Sequence, residues 1–211
     1  MKKIILWDFD GVILNSNSET EVAFRHALQE HTKDEIEKLL NFHNMNGGLS
    51  RYVKFKYFYN HILNEHLTDA KMNLLTNSFS EIRLNRLSNP NLLIKDTVKF
   101  IKNNYDKYLM HIVSGSDGTE LRCLCEKLEI AQYFNSIDGS PTPKSQLISE
   151  LLKINNYKPD HCVLIGDSIN DYEAAELNDI MFFGFNNTEI SDLGDRYLTQ
   201  IDDMRSSDFF K

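Results

Sequence analysis

The sequence predicts an α/β protein, a doubly wound parallel sheet with a helical domain inserted after its first strand. Three observations predict it. An apolar run at residues 4–9 ends in two carboxylates, Asp8 and Asp10. Residues 18–88 then repeat apolar side chains three and four apart, the period of a helix. Beyond Pro90, apolar runs alternate with helical segments, the pattern of parallel strands joined by crossover helices.

Ile4, Ile5, Leu6 and Trp7 form an unbroken apolar run, as expected of a strand buried on both faces. In the insertion, Val22, Phe24, Ala27 and Leu28 mark one helical face, and Ile36, Leu39 and Leu40 another. Asn46-Gly47-Gly48 breaks the helical stretch. Residues 52–67 read as an aromatic helix whose stripe from Phe55 to Tyr59 packs inside the inserted domain. Ser88-Asn89-Pro90 marks the return to the sheet. The expected order from there is helix 96–104, strand 108–113, helix 118–128, a short strand or loop at 136–139, helix 145–154, strand 162–165, helix 172–177 and strand 180–185. Residues 206–208 read as part of a tail. The whole predicts a Rossmann-like core of residues 1–14 and 90–211 and a helical cap of residues 15–89.

A chain of 211 residues suffices for one large domain or a core with a smaller insertion. Its 41% hydrophobic and 26% charged residues are an ordinary globular balance. The net charge of −8, with no long basic run, lacks the electrostatic footprint of a nucleic-acid binder. The three cysteines, Cys123, Cys125 and Cys162, form no disulfide framework and read as packing. The apolar start ends at Asp8, short of a signal peptide, and no run approaches the length of a membrane span. A cytoplasmic protein is expected, a monomer or weak dimer, with no nucleic-acid or membrane partner.

Open parallel sheets place ligands beyond the carboxyl ends of their strands. Here those ends carry Asp8-Phe9-Asp10-Gly11, Val113-Ser114-Gly115-Ser116 and Gly166-Asp167-Ser168, with Asp171 four residues past Asp167. Lys144 lies between the last two. If Asp8, Asp10, Asp167 and Asp171 converge, each like-charged pair at 4 Å costs about 4 kcal/mol at an effective dielectric of 20. A hard divalent cation removes that cost, and Mg²⁺ suits carboxylates together with phosphate. A carboxylate beside a metal is a competent nucleophile toward phosphorus, and a second can move the proton. Ser114 and nearby backbone N–H groups, at a strand end before a helix, suit phosphate oxygens, and Lys144 suits charge developing on the transferred group.

These segments resemble the four motifs of the haloacid dehalogenase superfamily. Asp8-Phe9-Asp10-Gly11-Val12 is similar to the first, Ser114 to the second, Lys144 to the third and Gly166-Asp167-Ser168-Ile169-Asn170-Asp171 to the fourth, in family order. The chain resembles the capped phosphatases of the β-phosphoglucomutase and phosphoglycolate phosphatase-like branch. The resemblance implies Asp8 as nucleophile and Mg²⁺ ligand, and Asp10 as general acid/base with its carbonyl on the metal. It implies Asp167 and Asp171 as further ligands, and Ser114, Gly115 and Lys144 on the phosphoryl group. Gly47-Gly48-Leu49-Ser50-Arg51 is similar to a cap loop of that branch that reaches the substrate, which assigns Arg51 to substrate binding. Lys54, Lys56 and the seven histidines read as bystanders.

Two departures from the family pattern bear on function. Asn15-Ser16 stands where many relatives carry Asp-Ser or Asp-Thr, a pair that tunes the cap hinge. Thr20 stands where mutases of the branch carry a histidine, which favours a phosphatase; Asp10 itself argues against dehalogenation. The expected activity is Mg²⁺-dependent hydrolysis of a small phosphorylated metabolite through an aspartyl-phosphate. A sugar-phosphate mutase, a phosphonate hydrolase needing a cap lysine that the sequence does not locate, and a non-catalytic binding protein are the alternatives.

Overall fold

The computed structural model describes residues 2–210. Among the described residues a sheet of six strands forms, all of its pairings parallel. β1 (Ile4–Trp7) lies near its centre. β2 (Leu109–Asp117) and β3 (Ser136–Ser140) extend it on one side. β4 (Cys162–Gly166), β5 (Met181–Phe185) and β6 (Arg196–Leu198) extend it on the other. The order β3-β2-β1-β4-β5-β6 reverses its winding between β1 and β4, so the C-terminal ends of those strands open the crevice where such sheets hold ligands.

The unbroken apolar run of β1 follows from its two buried faces. Ile5 and Trp7 join one core cluster, with Phe100 and Ile101 of α5 (Lys95–Asn104) and Leu121 and Leu124 of α6 (Gly118–Lys127). Ile4 and Leu6 join the other, with Ile148 of α7 (Lys144–Asn155) and Ala174 of α8 (Ile169–Glu176). Successive strand residues point to opposite faces, so both faces had to be apolar.

Between β1 and β2 the insertion supplies α1 (Asn17–Ala27), α2 (Lys33–Met45), α3 (Arg51–Tyr57), a π-helical segment Phe58–Leu63 and α4 (Asp69–Leu87). They surround their own apolar cluster, which includes Phe24, Phe55, Phe58, Tyr59 and Phe79. Thr32, Ser50 and Thr68 each accept a backbone N–H at the start of a helix, satisfying donors the helix cannot.

Four expectations need correction. The aromatic helix stops before residue 67, because Asn64 turns left-handed (φ 56°) and Thr68 starts the next helix. β2 runs beyond residue 113 to Asp117, carrying Ser114, Gly115 and Ser116 with it. α8 starts at Ile169 rather than 172, because Ser168 and Asp171 form a reciprocal capping box that holds its first turn. The segment read as a tail is structured. Two 3₁₀ turns, Ile201–Ser206 and Asp208–Phe210, bury Ile201, Met204 and Phe209 against the core. Such side chains contribute about 1.5–3 kcal/mol each on burial. Polar residues between apolar ones three apart had concealed this.

Candidate active site

Asp8 follows β1 directly, and its backbone N–H donates to Ile165 O at 2.9 Å, fixing it at the crevice. Lys144, the first residue of α7, donates to Asp8 Oδ1 at 2.8 Å and also to Asp171 Oδ1. The second oxygen of Asp171 accepts from Asp167 N (3.2 Å), Ser168 N (3.0 Å) and Ser168 Oγ (2.7 Å). Asp171 is thus buried and held by protein donors on both oxygens, as an anchor for Lys144 and for the loop that carries Asp167.

One oxygen each from Asp8, Asp167 and Asp171 lie within 4.8 Å of one another. Burial, with Asp171 and Asp10 nearby, pushes the Asp8 carboxyl up to about 7, although Lys144 opposes the shift. Burial and the charges of Asp8 and Asp171 push the Asp167 carboxyl well up as well. Two carboxyls raised by burial and by neighbouring carboxylate charges, in an all-oxygen donor set, fit a hard divalent cation. Gly11, at φ +77°, has no room for a Cβ, which would overlap the Asp167 carboxylate.

Asp10 has different partners. Its Oδ1 accepts from Ser16 Oγ (2.5 Å) and from Arg83 Nη2, and its Oδ2 accepts from Ser116 Oγ (2.5 Å). Burial pushes its carboxyl up, but Arg83 and the two hydroxyls win, and the net position is about 2. Arg83 comes from α4. It also donates to Ser116 Oγ (2.8 Å), Glu120 Oε1 (2.6 Å) and Thr20 Oγ1 (3.3 Å). Ser16 therefore touches Asp10 itself, and Thr20 holds the Arg83 guanidinium.

The insertion closes over these groups. A Cβ on Gly115 would overlap the carbonyl of Gly48, and a Cβ on Gly48 would crowd Ser168 and Asn170. Only glycine lets the two backbones approach so closely. Tyr52 Oη donates to Asp117 Oδ2 at 3.0 Å, and Arg51 and Arg83 both reach Glu120 of α6. Between the two parts lies a cavity of about 330 Å³.

Of the residues singled out from the sequence, Asp8, Asp10, Ser114, Gly115, Arg51 and Asp167 line this cavity. Lys144 and Asp171 stand behind Asp8, outside the lining. Ser114 is not a helix cap; that role belongs to Asp117, which accepts from Thr119 N and Glu120 N. Arg51 is buried, paired with Glu120 Oε2 at 2.6 Å, bonded to Ser80 Oγ at 2.5 Å and stacked 4.5 Å over the Phe79 ring.

Sequence reasoning missed Arg83, Glu120, Ser116 and the pair Lys54–His43. Lys54 is not solvated. It is buried in the cap, lines the cavity, and donates to His43 Nδ1 (2.9 Å) and Gly47 O (3.0 Å). Burial lowers its ammonium to about 7. His43 is also buried and lines the cavity, so it is no bystander. A signal for Lys54 existed: Arg51, Lys54, Phe55 and Phe58 share one helical face, at i, i+3, i+4 and i+7. Arg83 and Glu120 carried none, because their partners lie far away in the chain.

The fold and the ringed carboxylates define a hydrolase-type site at the switch point of an α/β sheet. Residues 5–185 match the model of the haloacid dehalogenase-like hydrolases, and the chain belongs to that family. It is an enzyme of the phosphatase type, and enzymes of this kind generally use a divalent metal. The chain is 25% identical over 189 residues to the phosphoserine phosphatase of Methanocaldococcus jannaschii, covering 81% of this chain and 79% of that one. Its fold is similar to that of a predicted phosphoglycolate phosphatase from Haemophilus somnus 129PT, with a TM-score of 0.74, 18% identity and 96% of each chain covered. It is also similar to that of β-phosphoglucomutase from Clostridium difficile, with a TM-score of 0.74, 15% identity, and 98% of this chain and 94% of that one covered. Among the described residues no helix is long and apolar enough to cross a membrane.

Proposed function

We propose that the protein is a Mg²⁺-dependent phosphatase that hydrolyses a small phosphorylated metabolite through an aspartyl-phosphate on Asp8. One observation carries this reading: Asp8 is a buried carboxylate with one oxygen held by Lys144, and it faces a cavity also lined by Ser114 and Gly115. A nucleophile held in place, beside groups suited to phosphate oxygens, is what in-line phosphoryl transfer requires.

Asp8 and Asp167 would hold the metal, with Asp171 fixing the loop of Asp167 and the Lys144 ammonium. The bound ion supplies positive charge against the phosphoryl oxygens. Asp8 attacks phosphorus and the leaving oxygen takes a proton from Asp10. Asp10, then ionised, takes a proton from water, and that water attacks the phospho-aspartate to release phosphate. The contacts of Asp10 with Arg83, Ser16 and Ser116 favour the ionised form, which suits the second step. In the first step Asp10 must be protonated, and we read Arg83 as leaving it when the cap, residues 15–89, moves. Thr20 binding Arg83, where mutases of the branch carry a histidine, supports hydrolysis over phosphoryl transfer between sugars.

Hydrolysis of p-nitrophenyl phosphate tests the reading. We expect turnover with Mg²⁺, little without it, and loss of the Mg²⁺-dependent rate in Asp8→Asn. Equal rates in all three would sink the proposal.

A further inference from the structure

The cavity is lined mainly by polar groups, with Phe24, Leu49 and Phe79 among them. Its acidic lining residues, Asp8, Asp10, Asp167 and Glu189, all come from the core, while its cations, Arg51, Lys54 and Arg83, all come from the insertion. Arg51 and Arg83 are neutralised by Glu120 and Asp10. Lys144, behind Asp8, has two carboxylate partners. Lys54 differs from all of these. It is 3% exposed, and no carboxylate lies within ion-pair distance of it among the described residues.

The hydrogen bonds of Lys54 make the contrast sharper. An ammonium has three donors, and the protein takes two, through His43 Nδ1 and Gly47 O. Because Nδ1 of His43 accepts, its ring proton is assigned to Nε2, and this buried Nε2 has no hydrogen-bond partner. Buried donors almost always find acceptors. Here two neighbouring side chains each keep a donor unmet on the cap wall, which contributes no acid to the lining; Arg51 Nη2 on that wall is also unmet, but its guanidinium already has Glu120 as counter-charge. Phe24, packed on the His43 ring at 5.2 Å, keeps the environment apolar and strengthens any charge pairing made there.

We infer that Lys54 and His43 form a subsite for a second anionic group of the substrate. Resting on the phosphatase reading, this narrows the substrate to phosphomonoesters whose far end carries a carboxylate or another phosphate. The phosphoryl group meets Asp8 at the core wall, the second anion meets Lys54 at the cap wall, and the cavity sets the distance between them. Neutral-tailed phosphomonoesters would leave Lys54 without a counter-charge.

Calorimetric titration of the full chain bearing Asp8→Asn, with Mg²⁺ present, reads binding apart from turnover. The probes are three series matched in length over two to five carbons: ω-phosphooxy carboxylates, α,ω-alkanediol bisphosphates and ω-hydroxyalkyl phosphates. At one length at least, a carboxylate or phosphate tail should bind at least 10-fold tighter than the hydroxyl tail. The two anionic series distinguish which group the subsite takes. Adding Lys54→Met should bring the ratio to within about twofold. Equal binding of all tails at every length, or an unchanged ratio in Lys54→Met, overturns the inference, and the first of these needs no variant at Lys54. Failure of the phosphatase reading appears elsewhere, as absent p-nitrophenyl phosphate hydrolysis by the unmutated chain.

Discussion

Lys144 and Lys54 are both buried lysines at the same crevice, one in the core and one in the cap, and their charges are treated in opposite ways. Lys144 sits between Asp8 and Asp171, and despite burial its ammonium is pushed above the usual range. Lys54 has a histidine and a carbonyl instead, and burial draws its ammonium down to about 7. Burying an ion costs several kcal/mol. One ion pair near 3 Å returns about 5 kcal/mol at an effective dielectric of 20, so two partners exceed the cost and none leaves it unmet. A core lysine thus completes a prebuilt charge lattice, and a cap lysine is left wanting a partner.

Removing each charge breaks this comparison in turn. The largest effect is expected for Lys144→Met, which leaves Asp8 and Asp171 buried without their cation. Unfolding free energy should fall by about 3–5 kcal/mol and p-nitrophenyl phosphate turnover by about 10²–10³-fold, read by denaturant titration and initial rates. Arg83→Met should come next, at about 3 kcal/mol, because it removes the cation of Asp10 and one of the two arginines paired with Glu120. The pH dependence of that loss has a definite sign. The Asp10 carboxyl is depressed to about 2 in the fold against about 3.9 unfolded, so its share is complete above pH 4 and fades as pH falls through 2. The gap between wild type and Arg83→Met should narrow over that window.

The smallest and most telling effect belongs to Lys54→Met, which replaces an unpaired buried ion with an apolar side chain of similar length. Stability at pH 7 should change by less than about 1 kcal/mol, or rise. The Lys54 ammonium titrates near 7 in the fold and near 10.4 when unfolded, so the unfolded chain binds more protons between those values. Wild-type stability should therefore climb from pH 7 to 10, with a contribution that Lys54→Met lacks. A loss for Lys54→Met as large as that for Lys144→Met would abolish the contrast.

The sequence made the chemical half of this arrangement legible and hid the electrostatic half. Ile4–Trp7 and Cys162–Gly166 are short apolar runs whose ends announce Asp8 and Asp167, because strands buried on both faces cannot be polar until they stop. Ser114 was singled out by the same reasoning, and Lys144 by its place between two such strand ends. Lys54 was misread because the aromatic stripe from Phe55 to Tyr59 marks only part of the buried face; the inward face of α3 is built on Arg51, Lys54 and Phe55, while Val53 is exposed. Glu120 looks like an ordinary first-turn acid on α6, a favourable placement at any helix start. Its two arginine partners come from α3 and α4, and no local pattern links them.

Gly48 and Gly115 meet backbone to backbone across the mouth of the cavity. A single methyl at Gly115 would act as a doorstop, because the Gly48 carbonyl could not reach its present seat. Such a protein would keep its strands, its carboxylates and its lysines, yet its lid would stand ajar. It would make a useful reagent, since whatever the core holds by itself would still be captured, and whatever depends on the lid would be let go.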